Sequence, residues 1–100
     1  MRNNNYSIVY VDDDQFESQY IERMFQFQGY NVHSYSNVDD VLNDVNKGKL
    51  EGVNCFLVDI ILPNQSGLFL ISELEKNPEF SQTPKVIYSG VDENLVSLMT

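Results

Sequence analysis

Five side chains able to handle a charged ligand stand at the ends of apolar runs in this sequence. Asp12, Asp13 and Asp14 follow Ile8-Val9-Tyr10-Val11 without a break, Asp59 closes Cys55-Phe56-Leu57-Val58, and Ser89 closes Val86-Ile87-Tyr88 beside Gly90. Carboxylates brought together at one rim repel one another unless a cation offsets their charge. Mg²⁺ suits such a group, because it prefers oxygen ligands and takes one or two carboxylates, several waters and a phosphate oxygen. A carboxylate can also accept a phosphoryl group to form an aspartyl phosphate. The cation then offsets charge on the incoming group, while a hydroxyl such as that of Ser89 donates to its oxygens.

Those residues act together only if the fold brings the ends of their runs to one edge. Ile8–Val11, Asn31–Tyr35, Asn54–Ile60 and Lys85–Ser89 read as four strands. The first is apolar without alternation, and the third is apolar on both sides until Asp59, as in strands buried on both faces of a parallel sheet. Between them lie helical patterns. Asp14 and Glu17 have the spacing of a capping box, opening a helix that runs to about Gln28 and stops at Gly29. Ser36-Asn37 can cap a second, with Val38, Val41, Leu42 and Val45 on one face and Lys47-Gly48-Lys49 at its end. Leu68–Lys76 forms a third, stopped before Pro78, and Val91 onward begins a fourth. Alternating strands and helices at this spacing predict right-handed βαβ units and a parallel sheet. In such sheets functional groups gather at the carboxyl ends of the strands, which is where Asp12, Asp13, Asp59 and Ser89 fall.

Composition narrows the classes of function. One hundred residues, 42% of them apolar, suit one domain with a modest core. A net charge of −9 argues against direct nucleic-acid binding and against an anionic membrane surface. No apolar stretch has the length of a membrane span, and the polar start, residues 1–5, reads as a disordered lead. A cytoplasmic protein is the expectation. Cys55 is the only cysteine and reads as a small buried thiol, which excludes an internal disulfide framework. His33 reads as a surface or edge residue with no second histidine to pair with. The aromatic residues read chiefly as core material, Tyr88 being a candidate exception.

Three segments resemble the motifs of response-regulator receiver domains: Val11-Asp12-Asp13-Asp14, then Val58-Asp59-Ile60-Ile61-Leu62-Pro63-Asn64-Gln65-Ser66-Gly67, then Val86-Ile87-Tyr88-Ser89-Gly90. They stand in the family's order, on matching elements, and the resemblance runs over residues 6–100. It implies a flavodoxin-like three-layer α/β/α domain with a parallel sheet of order 2-1-3-4. It implies further that Asp59 is the phosphoacceptor, that Asp12, Asp13 and the Ile61 backbone carbonyl join Asp59 around Mg²⁺, and that Ser89 is the switch hydroxyl. A histidine kinase or phosphotransfer protein would be the phosphoryl donor, and the domain would signal without being an enzyme in the ordinary sense.

The sequence departs from the family at one end. Receiver domains carry a lysine and an aromatic switch residue near a further strand, whereas this sequence stops at Thr100 and Lys47, Lys49, Lys76 and Lys85 stand elsewhere. With the fifth strand and last helix absent, the edge of the fourth strand is expected to be bare. The first helix, with Phe16, Tyr20, Met24 and Phe27 in one stripe, is expected to be uncovered. A homodimer through those two surfaces is the corresponding partner expectation. Two rival readings remain at this stage. A pseudo-receiver would act as an interaction module only, as the missing lysine suggests. An aspartate-based phosphohydrolase would use Asp12-x-Asp14, but leaves Asp59 without a role.

Overall fold

The computed structural model describes residues 6–62, 65–88 and the backbone of 97–99. Four strands, β1 (Ser7–Val11), β2 (Asn31–Tyr35), β3 (Cys55–Asp59) and β4 (Lys85–Tyr88), form a parallel sheet in the order β2-β1-β3-β4. This is the expected order. β1 lies between β2 and β3, pairing Val9 with His33 on one side and with Phe56 on the other. Its apolar run is continuous because helices cover both of its faces. β2 lies at the edge, and its residues, His33 included, are half-buried or exposed.

The helices are α1 (Gln15–Phe27), α2 (Val38–Asn46) and α3 (Gly67–Glu75). α2 opens on Asn37, whose side chain accepts from the Asp40 N–H at 2.8 Å, and buries Val38, Val41 and Val45. α3 opens on Ser66, whose hydroxyl accepts from the Leu68 N–H at 3.0 Å, and buries Leu70, Ile71 and Leu74. These faces pack with Val9, Val11, Phe56, Val58, Ile87 and Phe80 into one core cluster. Each such side chain, once fully buried, contributes about 1.5–3 kcal/mol. Side chains alternate along a strand, so Ile8, Tyr10, Leu57 and Tyr88 belong to the opposite face of the sheet, the α1 side. The architecture is therefore three-layered, α/β/α, as expected.

α1 follows β1 almost at once. The Asp14 carboxylate caps it, accepting from Phe16 N–H at 3.0 Å and Glu17 N–H at 3.1 Å. Gly29, at φ 96°, ends it in the left-handed region that favours glycine. The reciprocal half of the expected capping box needs correcting. The Asp14 N–H donates to Asp12 Oδ1 at 3.0 Å instead of to Glu17, because the neighbouring carboxylate is closer to hand. No residue of α1 is buried, and Phe16 and Phe27 are each 87% exposed, so the helix presents the uncovered stripe that was expected.

The bare edge of β4 is a second correction. Ser97–Met99 forms a short strand, β5, antiparallel to β4, with Lys85 opposite Met99 and Ile87 opposite Ser97. It differs in direction from the parallel fifth strand whose absence was expected. It also replaces the end of the expected fourth helix, whose start at Val91 lies outside the described residues, as does the lead at 1–5. The physical reason is the row of unpaired N–H and C=O groups that an edge strand presents, which a nearby extended segment can satisfy.

Lys85 is the other surprise. It is only 4% exposed, at the start of β4. Its Nζ donates to the Phe80 carbonyl at 2.6 Å and the Thr83 carbonyl at 2.8 Å, and pairs with Glu75 Oε2 at 2.8 Å. A buried ammonium is tolerated when its donors are filled in this way. Here it ties the 77–83 turns to the end of α3.

Candidate functional site

Asp12 immediately follows β1, and Asp59 is the last residue of the neighbouring β3, so parallel pairing brings both to one rim of the sheet. With Asp13 they form a cluster in which one carboxylate oxygen from each lies within 4.8 Å of the others. Asp12 and Asp59 are 3% and 7% exposed, whereas Asp13 faces solvent. Two nearly buried carboxylates and one open one, all oxygen donors, match a hard divalent cation that keeps part of its water shell.

The backbone fixes each acid. The Asp12 N–H donates to the Tyr35 carbonyl at 3.0 Å, carrying the ladder one step past β1. Asp59 Oδ1 accepts from the Ile61 N–H at 3.1 Å, a local turn that holds the carboxylate toward the rim. Gly67 packs directly against the Asp59 backbone and donates its N–H to the Ile60 carbonyl at 2.8 Å. Any side chain at Gly67 would overlap the Asp59 carbonyl oxygen. Gly67 is needed there for close approach, not for an unusual backbone angle.

The acids differ in protonation. Burial pushes Asp59 up to about 6; the Ile61 N–H opposes this, and the charges of Asp12 and Asp13 add to it. Asp12 is also burdened by burial, but bonds from the Asp14 N–H, Tyr88, Tyr10 and Glu17 outweigh it and hold Asp12 below the ordinary carboxylate range. Glu17 rises to about 7, first because its carboxyl hydrogen-bonds to Asp12, then through burial and the charges of Asp12, Asp14 and Asp59. At neutral pH such a cluster carries less negative charge than its composition suggests, and a cation that favours the ionised forms must displace protons.

The structure brings together Asp12, Asp13 and Asp59 as the sequence indicated, and sets Asp14 apart as a helix cap. Ser89, Pro63 and Asn64 lie outside the described residues. Cys55 is half-buried, and burial raises its thiol pKa, which disfavours the reactive thiolate. Three contributors were missed. Tyr10 and Tyr88 both place their hydroxyls on Asp12 Oδ2, at 2.8 and 2.7 Å, and Glu17 reaches the same carboxylate. Strand alternation carries part of this signal, since residues two apart share a face and Tyr10 therefore stands beside Asp12.

Comparison with known proteins agrees with this geometry. The model of the response regulator receiver domain matches residues 8–98, and the chain belongs to that family. No curated protein matches it. Among solved structures, the non-phosphorylated HemR receiver domain from Leptospira biflexa is 17% identical with a TM-score of 0.72, over 84% of this chain and 64% of that one. A CheY-like receiver domain from Methylobacillus flagellatus is 22% identical, TM-score 0.74, over 85% of this chain and 70% of that one. The response regulator TrrA from Thermotoga maritima, in complex with Mg²⁺ and BeF, is 21% identical, TM-score 0.73, over 84% and 69%. At these identities the likeness establishes the fold. The chain spans 64% and 65% of the length of the first two structures it matches, HemR among them. Among the described residues no helix is long and apolar enough to cross a membrane.

Proposed function

We propose that this chain is a working phosphoacceptor domain of two-component signalling, taking a phosphoryl group onto Asp59 from a histidine kinase or phosphotransfer protein. The observation that carries this reading is the cluster of Asp12, Asp13 and Asp59 at the carboxyl rim of the parallel sheet. Its donor set fits Mg²⁺, with the Ile61 carbonyl as a further ligand, and the related TrrA structure holds that ion beside BeF. When bound, Mg²⁺ would offset the charge of the phosphoryl oxygens.

The rest of the work falls to the chain. Asp59 must be ionised to attack, and the Ile61 N–H on Oδ1 steadies the charged form. As the bond from an Asp59 carboxylate oxygen to phosphorus forms, the P–N bond of the donor phosphohistidine breaks and its imidazole leaves with the electron pair. Ser89, directly after Tyr88, would donate its hydroxyl to the transferred group. The acyl phosphate then biases the surface around β4, the signalling step. The chain serves as a signalling receiver, not as an enzyme acting on an outside substrate, and works in the cytoplasm. It contacts no nucleic acid or membrane, and pairs with a second copy through the exposed stripe of α1.

Incubation with Mg²⁺ and a small-molecule phosphodonor, followed by intact mass measurement, tests the reading. A single base-labile phosphoryl adduct, absent from Asp59→Asn, is expected. Folded, Mg²⁺-binding protein without an adduct would leave the pseudo-receiver, an interaction module with the fold but not the chemistry.

A further inference from the structure

Outside the acids themselves, the feature of the site that its metal and phosphoryl chemistry leaves unexplained is a pair of tyrosines. Tyr10 on β1 is 1% exposed, and Tyr88 ends β4, two strands away. Their rings are parallel, with centroids 6.2 Å apart and an interplanar angle of 4°. Their hydroxyls converge on one atom: Asp12 Oδ2 lies 2.8 Å from Tyr10 Oη and 2.7 Å from Tyr88 Oη, and the two phenol oxygens are 2.9 Å apart. Buried phenols need partners, but one partner each would suffice. Two phenols from separate strands on a single carboxylate oxygen are more than packing requires.

The consequence for Asp12 follows from counting acceptor sites. A carboxylate oxygen has two, so the two phenols together fill Oδ2. Oδ1 takes the Asp14 N–H at 3.0 Å, which leaves it one site, and the Glu17 carboxyl that also reaches the group gives that site up when a cation takes it. The phenols cannot easily be displaced by rotation, because Tyr10 is enclosed and the rings brace each other. Donors behind a ligating carboxylate orient it and reduce the freedom it would lose on binding a cation.

We propose that Tyr10 and Tyr88 are positioning residues for the cation site, holding Asp12 Oδ2 between two phenols so that Oδ1 is the oxygen turned to a divalent ion. The inference rests on the receiver reading of the acidic cluster. It also gives β4 a direct link to the cation: Tyr88, next to Ser89, senses through Asp12 whether the ion is bound. An ion on Oδ1 draws charge from the carboxylate and weakens both phenol bonds, so its arrival is felt at the end of β4.

Calorimetric Mg²⁺ titration of the intact chain and of Tyr88→Phe, which keeps the ring and removes the hydroxyl, tests this. Tyr88→Phe is expected to weaken Mg²⁺ binding about tenfold or more, the usual effect of removing a group that orients a ligand. Tyr10→Phe is the second variant should Tyr88→Phe fail to give a cooperative melt. As a readout that simple packing would not move, ¹³Cζ resonances of labelled tyrosine should show the Tyr10 and Tyr88 signals shifting with Mg²⁺ at the calorimetric midpoint. Wild-type-like Mg²⁺ affinity in a folded Tyr→Phe variant, or tyrosine signals indifferent to Mg²⁺, would overturn the tyrosine role alone. Wild-type protein that binds no Mg²⁺ at all would overturn it together with the receiver reading.

Discussion

Gly67, the first residue of α3, lies against the backbone of Asp59, so close that a Cβ there would overlap the Asp59 carbonyl oxygen and crowd Val58 Cγ1 at 2.9 Å. The start of α3 is thereby docked onto the end of β3, and the loop between them must leave and return within a few residues. Gly67→Ala should therefore cost more than the gain in helix propensity can offset. The obstructing atoms are backbone and cannot rotate away, so either α3 or Asp59 must move. A loss of about 1–3 kcal/mol by denaturant unfolding is expected, in the range of overpacked core sites. Mg²⁺ affinity should fall with it. A variant as stable as wild type with unchanged Mg²⁺ binding would show that the contact relaxes freely.

Much of this arrangement was legible in the sequence, for reasons visible in particular residues. Val9 and Phe56 sit on central strands covered on both faces, so continuous apolarity marked the strands, and the carboxyl-end rule placed Asp12 and Asp59 together. Val38, Val41 and Val45 showed their helix by spacing alone. What stayed hidden was tertiary. Tyr88 reaches Asp12 across 76 positions of sequence, and no local pattern reports which phenol meets which carboxylate. Lys85 looked like a strand start, while its burial depends on carbonyls of a turn that only the fold brings back. The antiparallel return of Ser97–Met99 was concealed by a segment whose composition suited a helix.

The protonation of the acids predicts an unusual pH profile. Asp59 rises from 3.8 in the unfolded chain to about 6 in the fold, so the folded state holds its proton more tightly. Its stabilising contribution is full below pH 4 and is lost as pH rises through about 6; this is opposite in sign to a salt-bridged aspartate. The shift corresponds to at most about 3 kcal/mol. Glu17, raised to about 7, acts in the same direction. Without divalent ions, the melting temperature should rise as pH falls from 7.5 to about 5. Saturating Mg²⁺, which favours the ionised forms, should remove that rise, and Asp59→Asn should reduce it. A melting temperature that drops steadily over this range in cation-free buffer would contradict the assignment.

Lys85 holds the turn between α3 and β4 through the Phe80 and Thr83 carbonyls and Glu75. Lys85→Met keeps the stem's apolar contacts and removes every donor. The Phe80, Ser81 and Thr83 carbonyls lose the ammonium, Phe80 keeping a bond from the Thr83 N–H, while Glu75, whose side chain is 54% exposed, can return to water. The expected cost is about 1–3 kcal/mol, most of it from the Ser81 and Thr83 carbonyls that lose their donor. Chemical denaturation should detect it with an unchanged m-value, and Glu75→Gln should cost much less. Equal losses from the two substitutions would assign the energy to the ion pair instead.

The stripe on α1 leads to a prediction about assembly. Phe16, Tyr20, Met24 and Phe27 are 87%, 65%, 46% and 87% exposed, and they follow one another along a single side of the helix. Water contact over side chains of this size is unfavourable by about 25 cal/mol for each Å² left uncovered. β4 is no longer a competing surface, since β5 occupies its edge. Sedimentation equilibrium should show dimers forming as concentration rises, and Phe16→Ser with Phe27→Ser should return the protein to monomer. Because neither ring is buried within one chain, the double variant should keep its stability within about 0.5 kcal/mol. A wild-type protein that stays monomeric at high concentration would refute self-association through α1. A double variant that dimerises as well as wild type would instead place the contact on another face, the half-buried Leu57 and Val86 on the same side of the sheet being the next residues to substitute.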